Sequence, residues 1–189
     1  MRDVGWAVVQ GAISQDLCVR LHDEAMAHQR AGRLQPATTG RQEGRHAGSA
    51  RGDSTLWLDD PACGQAAAEL ILALETMKLA LNRRLTLGLD EVEAHFAHYP
   101  AGTGYVRHRD RFHSDDARVL SLVLYLNQDW PPDAGGELRL HLPDGTHDIA
   151  PRMGTLVLFL SADIEHEVMP ATLPRYSVAA WFRQRPRPA

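Results

Sequence analysis

Cysteine is scarce in this sequence, with Cys18 and Cys63 as the two among 189 residues. Two cysteines do not build the disulfide framework of a small secreted domain, so we expect a reducing cytosol and two small buried thiols. No run approaches 18 apolar residues, which argues against a membrane-spanning helix, and the apolar N-terminal run breaks at Gln10, so we expect no signal peptide. The net charge of −4 gives no electrostatic case for a nucleic-acid partner.

What is present is the composition of a soluble globular protein. Apolar residues make up 44% and charged residues 23%, and 189 residues suffice for one domain with a sizeable core. We therefore expect a single domain over residues 1–189. It divides into a strand, helices and a long loop (1–91), a strand-rich core (92–183) and a basic, proline-interrupted tail (184–189).

The N-terminal part is predicted to contain one strand, one helix and one long loop. Residues 4–9 are typical of a strand, and Ser14 is a good N-cap for a helix that ends near Gly32. Residues 32–52 are rich in glycine and show no periodicity. Such a loop is either a solvated surface loop or a lid over a binding site, and we favour the lid.

A second helix is predicted to start at Asp60-Pro61 and to end at Gly88. Its apolar stripe consists of Leu70, Leu74, Met77, Leu81 and Leu85 and should pack on the outside of a sheet. Eight short strands separated by turn residues are then predicted at 92–99, 104–110, 118–126, 136–142, 146–150, 154–160, 166–169 and 175–183. This pattern indicates an α+β protein, a double-stranded β-helix (jelly roll) with two N-terminal helices packed outside one sheet.

Two histidines and one carboxylate form the candidate metal site. His108 and Asp110 are two positions apart on a predicted strand, so both side chains point to one face, and His166 lies on a later strand. This is the ligand set of a mononuclear non-haem Fe(II) oxygenase. A second H-x-D pair, His113 and Asp115, lies in a polar loop and is predicted to be a decoy. The other histidines are predicted to be non-ligands: His22, His28, His46, His95, His98, His141 and His147.

Arg175 is the candidate anchor for a carboxylic acid. It opens a strand-like run that reaches residue 182 and follows the apolar run 154–160. A buried guanidinium binds a carboxylate through two charge-assisted hydrogen bonds, and the distal carboxylate of 2-oxoglutarate would suit it. On spacing alone, a strand-rich domain with ordinary surface and core histidines remains an alternative.

Several ordered motifs resemble the prolyl hydroxylases that act on hypoxia-inducible factor and their bacterial relatives. They extend from about residue 51 to 183. The motifs are Arg51-Gly-Asp-x-x-x-Trp57, Tyr99-Pro-x-Gly-Thr-Gly-Tyr-Val-Arg-His-x-Asp110, Arg118-x-x-x-x-x-Leu-Tyr-Leu-Asn-x-Asp-Trp130, Gly135-Gly-x-Leu-Arg139, His166-Glu-Val-x-Pro-Ala171 and Arg175-Tyr-x-x-x-x-Trp181.

The resemblance implies an enzyme that uses Fe(II), 2-oxoglutarate and O2, with ascorbate as a reductant. It makes Tyr125 the partner of Arg175 on the distal carboxylate and places Tyr99 beside the co-substrate. Other implied pocket walls are Tyr105, Leu138, Val168 and Trp181. On the substrate side it implies Arg51, Asp53 and Trp57, and it places Arg118 at the cavity mouth. There we hypothesise an ion pair between Asp53 and Arg118 that ties the lid to the core.

The implied reaction is hydroxylation at C4 of a prolyl residue in a protein, with release of succinate and CO2. The bacterial character suggests a translation factor such as elongation factor Tu as the target. We expect a cytoplasmic monomer that binds neither nucleic acid nor membrane. The alternatives are a hydroxylase of a free amino acid or other small molecule, an oxidative nucleic-acid demethylase, which the acidic charge disfavours, and a non-catalytic binding or sensor domain.

Overall fold

The computed structural model describes residues 5–37, 51–110 and 117–185. The two helices are α1 (Gln15–Arg30) and α2 (Gln65–Leu85). The strands are β1 (Trp6–Gln10), β2 (Gln35–Pro36), β3 (Ser54–Trp57), β4 (Glu91–Tyr99), β5 (Tyr105–His108), β6 (Arg118–Tyr125), β7 (Leu138–Leu142), β8 (Gly145–Ile149), β9 (Thr155–Leu160), β10 (Glu165–Val168) and β11 (Arg175–Arg183). No helix in the described ranges combines the length and apolarity needed to cross a membrane.

The strands form two antiparallel sheets, which agrees with the predicted jelly roll. The larger sheet has the order β1-β9-β6-β11-β4-β3-β2, and the smaller has the order β5-β10-β7-β8. One apolar cluster contains Tyr125 and Phe159 of the larger sheet together with Leu138 and Val168 of the smaller. The two sheets therefore face each other across a shared interior.

Side chains alternate between two environments along the central strands, as the period of two in a strand requires. On β4, Ala97 and Tyr99 belong to the inner cluster between the sheets, whereas Phe96 belongs to a second cluster. That second cluster also contains Leu21 of α1 and Leu74 of α2. Burying helix and sheet residues together is the main favourable term that holds these layers.

The start of α1 is confirmed and the start of α2 is wrong. Ser14 is the N-cap of α1, and its hydroxyl accepts the Leu17 N–H at 3.3 Å. Asp60 instead accepts the Ala62 N–H within a turn, and α2 begins four residues after Pro61, at Gln65. The physical reason lies outside the local sequence: Glu24 of α1 accepts the Gly64 and Ala67 N–H groups at 2.6 and 3.4 Å.

The remaining differences concern short or irregular segments. Strands β2 and β3 were not predicted, because two and four residues carry too little periodicity. Strand β5 ends at His108, so Asp110 lies just beyond the strand rather than on it. The middle of the predicted lid (38–50), the decoy pair at 113 and 115, and the last residues of the tail lie outside the described residues.

Candidate active site

A cavity of about 960 Å³ lies between the sheets, and most sequence-predicted site residues line it. They are Arg51, Asp53, Trp57, Tyr99, Tyr105, His108, Asp110, Arg118, Leu138, His166, Val168, Arg175 and Trp181. Tyr125 is the exception, because it is fully buried beside the cavity, with its ring 5.0 Å from the Arg175 guanidinium carbon.

The register of β5 and β10 places two histidines side by side. His108 pairs directly with His166 across these antiparallel strands. The chain then turns so that Asp110 approaches both: its carboxylate oxygens lie 3.5 Å from His108 Nε2 and 3.7 Å from His166 Nε2. The three ligand atoms lie within 4.8 Å of one another. This spacing allows all three to reach one ion.

Backbone carbonyls orient both imidazoles toward that point. His108 Nδ1 lies 2.8 Å from the Val106 carbonyl oxygen, and His166 Nδ1 lies 3.2 Å from that of Ile164. A carbonyl oxygen only accepts, so each Nδ1 carries a hydrogen, and in the neutral imidazole the Nε2 lone pair is then the one that a metal can bind. Metal-ligating histidines are held in this manner. Burial also lowers the pKa of His166, which favours the neutral, ligating form.

The Asp110 carboxylate is held in its ionised form. Burial alone would raise the pKa of Asp110, but His166, His108 and the Ser121 hydroxyl together hold that pKa well below its ordinary value. Ser121 Oγ donates to Asp110 Oδ2 at 2.7 Å and lies 2.8 Å from Ser161 Oγ. An ionised carboxylate and two imidazole nitrogens on one side of an ion fit Fe(II), with positions left open for other ligands.

Arg175 is a buried cation in need of an anion. Its side chain is 2% exposed, its Nε donates to the Gly136 carbonyl at 3.0 Å, and its Nη1 donates to Ser177 Oγ at 3.4 Å. Within the described part of the chain, no carboxylate pairs with it. The Tyr125 hydroxyl beside it is buried and has no hydrogen-bond partner among the described residues.

Burial raises the pKa of Tyr125, so its hydroxyl stays protonated and can donate. A buried cation without a counter-ion and a buried hydroxyl without an acceptor both cost free energy, and one carboxylate would satisfy both. This end of the site therefore fits the distal carboxylate of 2-oxoglutarate.

At the cavity mouth, the predicted ion pair between Asp53 and Arg118 is wrong. Asp53 accepts two hydrogen bonds from Arg51, at 2.6 and 2.9 Å, so each of its carboxylate oxygens is bound by this near neighbour. Arg118 donates to Glu93 on β4 at 2.7 and 2.8 Å and lies 3.8 Å over the ring of Trp181. Both arginines still line the cavity, with different partners.

The stretch that carries Arg51 touches both sheets. Arg51 forms an isolated bridge with Tyr105 at the start of β5, and the Gly52 N–H donates to the Gly104 carbonyl at 2.9 Å. Two residues later the chain enters β3, which pairs with β4 of the larger sheet. Tyr105 in turn stacks on His108, with ring centroids 3.6 Å apart.

Comparisons with known proteins agree with this geometry. Residues 94–183 match the family described as the 2OG-Fe(II) oxygenase superfamily. A prolyl-4-hydroxylase from Pseudomonas putida is 41% identical, with a TM-score of 0.88 over 98% of this chain and 95% of that one. The chain belongs to this superfamily. The family uses Fe(II), 2-oxoglutarate and O2, for which the described residues offer a His-Asp-His triad.

Two further relatives of the oxygenase are eukaryotic. A prolyl hydroxylase from Trichoplax adhaerens, solved with a peptide of the oxygen degradation domain of hypoxia-inducible factor, is 25% identical, with a TM-score of 0.85 over 97% of this chain and 85% of that one. Egl nine homolog 1 from Homo sapiens is 28% identical over 96% of this chain and 44% of its own length. The chain spans about half the length of the curated relatives it matches.

The sequence reasoning missed two residues of the oxygenase site. His95 is 3% exposed, lines the cavity and lies 5.2 Å from the rings of both Trp57 and Trp181. Alternate residues of a strand share a face, and His95 lies four residues before Tyr99 on β4. This spacing could have predicted that His95 faces the same cavity as Tyr99. Ser121 was signalled only by being the polar residue of an apolar strand.

Proposed function

We propose that this oxygenase hydroxylates a prolyl residue at C4 in a protein substrate. The observation that carries the proposal is the 41% identity to a prolyl-4-hydroxylase along 95% of that chain. The cavity of about 960 Å³ is near the upper end for ligand sites, roughly 300–1,000 Å³, which leaves space beside 2-oxoglutarate for a substrate side chain. In this proposal the whole chain works as a single cytoplasmic domain.

The chain's own residues divide the work of binding the cofactors. His108, Asp110 and His166 would hold iron through two Nε2 atoms and one carboxylate. Arg175 and Tyr125 would bind the distal carboxylate of 2-oxoglutarate, with Tyr99 beside it. Apolar walls from Leu138 and Val168 exclude water from that pocket. The bound iron and co-substrate supply the oxidation of the C–H bond, coupled to conversion of 2-oxoglutarate to succinate and CO2.

The substrate side is formed by the charged and aromatic residues at the mouth. Arg51 is fixed by Asp53, and Arg118 is fixed by Glu93, so both guanidinium groups are preorganised before a peptide arrives. Trp57, Trp181 and His95 form a rigid wall between them. Such a surface suits an extended peptide whose proline enters the cavity.

The likeness to a bacterial enzyme favours a bacterial protein as substrate, and elongation factor Tu is our first candidate. The test is Fe(II)-dependent succinate release from 2-oxoglutarate in the presence of the host's soluble proteins. Mass spectrometry then searches for prolines that gain one oxygen. We expect stimulated turnover and a modified proline with the wild-type protein, and neither with His108→Ala.

Other outcomes identify the alternatives. Turnover without a modified proline would contradict the protein-substrate proposal and favour a small molecule, such as a free amino acid. Bound iron without turnover on any protein would favour a binding or sensor domain. If elongation factor Tu is unmodified while another protein gains the oxygen, the reaction stands and the proposed target is wrong.

A further inference from the structure

A second group of side chains that could bind a metal lies on the helical side of the protein, and its members do not line the cavity themselves. Glu24 and His28 are four residues apart on one face of α1, and Cys63 comes from the turn before α2. The ligand atoms of the three lie within 4.8 Å of one another. His28 Nε2 and Glu24 Oε1 are 3.7 Å apart. Two such ligands on a tetrahedral Zn(II) are about 3.4 Å apart, so small side-chain shifts suffice.

His28 supplies the independent sign that a ligand is missing. The residue is 4% exposed, and its Nε2 has no hydrogen-bond partner among the described residues. This atom is the one nearest Glu24, at a distance too long for a hydrogen bond. A buried polar atom without a partner costs about 1–3 kcal/mol. An ion between Nε2 and the carboxylate would remove that cost.

The charges of the three residues favour a divalent ion. Burial raises the pKa of the Cys63 thiol to about 11, so the thiol must lose its proton to the entering ion. The carboxylate, the resulting thiolate and a neutral imidazole then carry two negative charges, which a 2+ ion neutralises. The N-terminus of α2 carries the positive end of the helix dipole, which also favours negatively charged ligands. Glu24 already accepts the Gly64 N–H at this end. Sulfur, nitrogen and oxygen donors together select zinc over magnesium or calcium, which take oxygen ligands.

Binding requires two local changes. The Cys63 thiol gives up the hydrogen bond that it donates to the Trp57 carbonyl at 3.3 Å. The Arg33 guanidinium lies 3.4 Å from His28 Nδ1, and since a guanidinium only donates, Nδ1 is the acceptor in this arrangement. With a metal on Nε2, the proton moves to Nδ1 and Arg33 gives up this contact. Arg33 is exposed, so its side chain can turn into solvent.

We propose that Glu24, His28 and Cys63 form a second metal site, which binds Zn(II) as a structural ion with water as the fourth ligand. The ion would tie the last turn of α1 to the turn before α2. The segment that follows α1 contributes Gly32, Arg33 and Gln35 to the cavity wall. The zinc would therefore stabilise the position of the cavity-lining segment that follows α1.

Co(II) titration of the metal-free, full-length protein tests the site. Cobalt bound to a thiolate gives a near-ultraviolet charge-transfer band, which the His-Asp-His site cannot give because it has no sulfur. We expect two cobalt ions to bind per chain, with a band amplitude that corresponds to one thiolate-bound cobalt, and Zn(II) to displace the cobalt that gives the band. Cys63→Ser should abolish the band and leave one ion per chain.

Matched variants identify the ligands. His28→Gln and Glu24→Gln should each lower the affinity for the cobalt that gives the band. The loss should exceed the roughly 10- to 100-fold that is typical when a residue that only hydrogen-bonds to a metal ligand is replaced. Cys18→Ala and His108→Ala should retain the band, and circular dichroism checks the fold of each variant. No band at stoichiometric cobalt, a band that persists in Cys63→Ser, or one lost in His108→Ala would overturn the proposal. The three ligands are replaced in three separate variants. If one variant fails to fold, the other two still test the site.

Discussion

At the scale of single residues, the Asp110 carboxylate is the ligand whose charge matters most. It is ionised, and it faces both His108 and His166. We expect Asp110→Ala to abolish turnover and to weaken iron binding strongly, as measured by succinate release and by iron content after dialysis. Asp148→Ala is the matched control, because Asp148 lies on β8 and forms an ion pair with Arg139 on the neighbouring strand β7. Full turnover in Asp110→Ala would refute the assignment.

Tyr125 separates co-substrate binding from iron binding. Its hydroxyl lacks a partner among the described residues and lies beside Arg175. A hydrogen bond to a charged group contributes about 1.5–3 kcal/mol, so Tyr125→Phe should raise the KM for 2-oxoglutarate by about tenfold or more. Iron affinity should not change. The control is Tyr176→Phe, whose ring packs against His22 and His98 on the helical side. An unchanged KM would remove Tyr125 from the binding site.

The residue scale also shows what sequence could predict. The three iron-ligand candidates, and Arg175, were recognisable because each lies in an ordered motif with a fixed spacing. The partners of Asp53 and Arg118 were not, because they depend on which strands are neighbours. Glu93 lies on β4 and Arg118 on β6, and the two strands are separated by β11 alone. No local sequence pattern predicts this strand order.

At the scale of elements, the close approach of β5 and β10 sets the separation of two iron ligands. A Cβ added to Gly104, just before β5, would lie 2.3 Å from the Val168 carbonyl oxygen of β10. Since neither backbone can yield cheaply, Gly104→Ala should push the strands apart and lower the iron affinity. Isothermal titration with Fe(II) under anaerobic conditions measures this.

The neighbouring Gly102 provides the control for Gly104→Ala. It has a φ of +82°, but nothing lies within 4 Å of an added Cβ. Gly102→Ala should therefore cost about 1–2 kcal/mol of stability while leaving iron binding intact. Equal effects of the two variants on iron affinity would show that backbone strain, and not the strand approach, is responsible.

Element boundaries were predictable where the signal is local and were missed where it is not. Ser14 caps α1 with its own side chain, and the sequence showed this. Helix α2 instead has Gly64 at its N-cap, and the acceptor for its first N–H groups comes from Glu24. A cap supplied by another helix cannot be recognised in the sequence around residue 64. Asp60-Pro61 has the local pattern of a helix start, and the prediction therefore placed the start of α2 there.

At the scale of the whole molecule, His95 couples folding stability to pH. Burial and the nearby Arg51 lower its pKa from 6.5 to about 4. Between these values the unfolded chain binds a proton that the folded protein does not, so stability falls as the pH drops from 6.5 to 4. The full effect is about 3 kcal/mol. We expect urea unfolding of His95→Asn to show a weaker loss of stability over this window than the wild type.

The asparagine retains an N–H donor for the Phe96 carbonyl that His95 Nδ1 contacts at 3.0 Å, so the comparison isolates the titration. His147→Asn is the control, since His147 is solvent-accessible at the edge of the smaller sheet. Identical pH profiles for the wild type and His95→Asn would show that this imidazole titrates normally.

The stretch from Arg51 to Trp57 has a mechanical consequence for the enzyme as a whole. It is bonded to β5 of one sheet through Arg51 and Gly52, and to β4 of the other through β3. The Arg51 guanidinium carbon lies 5.0 Å from the centre of the Tyr105 ring, and that ring stacks on His108. Two contacts therefore join the cavity mouth to the imidazole of a candidate iron ligand, so we expect a displacement of Arg51 to change the position of His108.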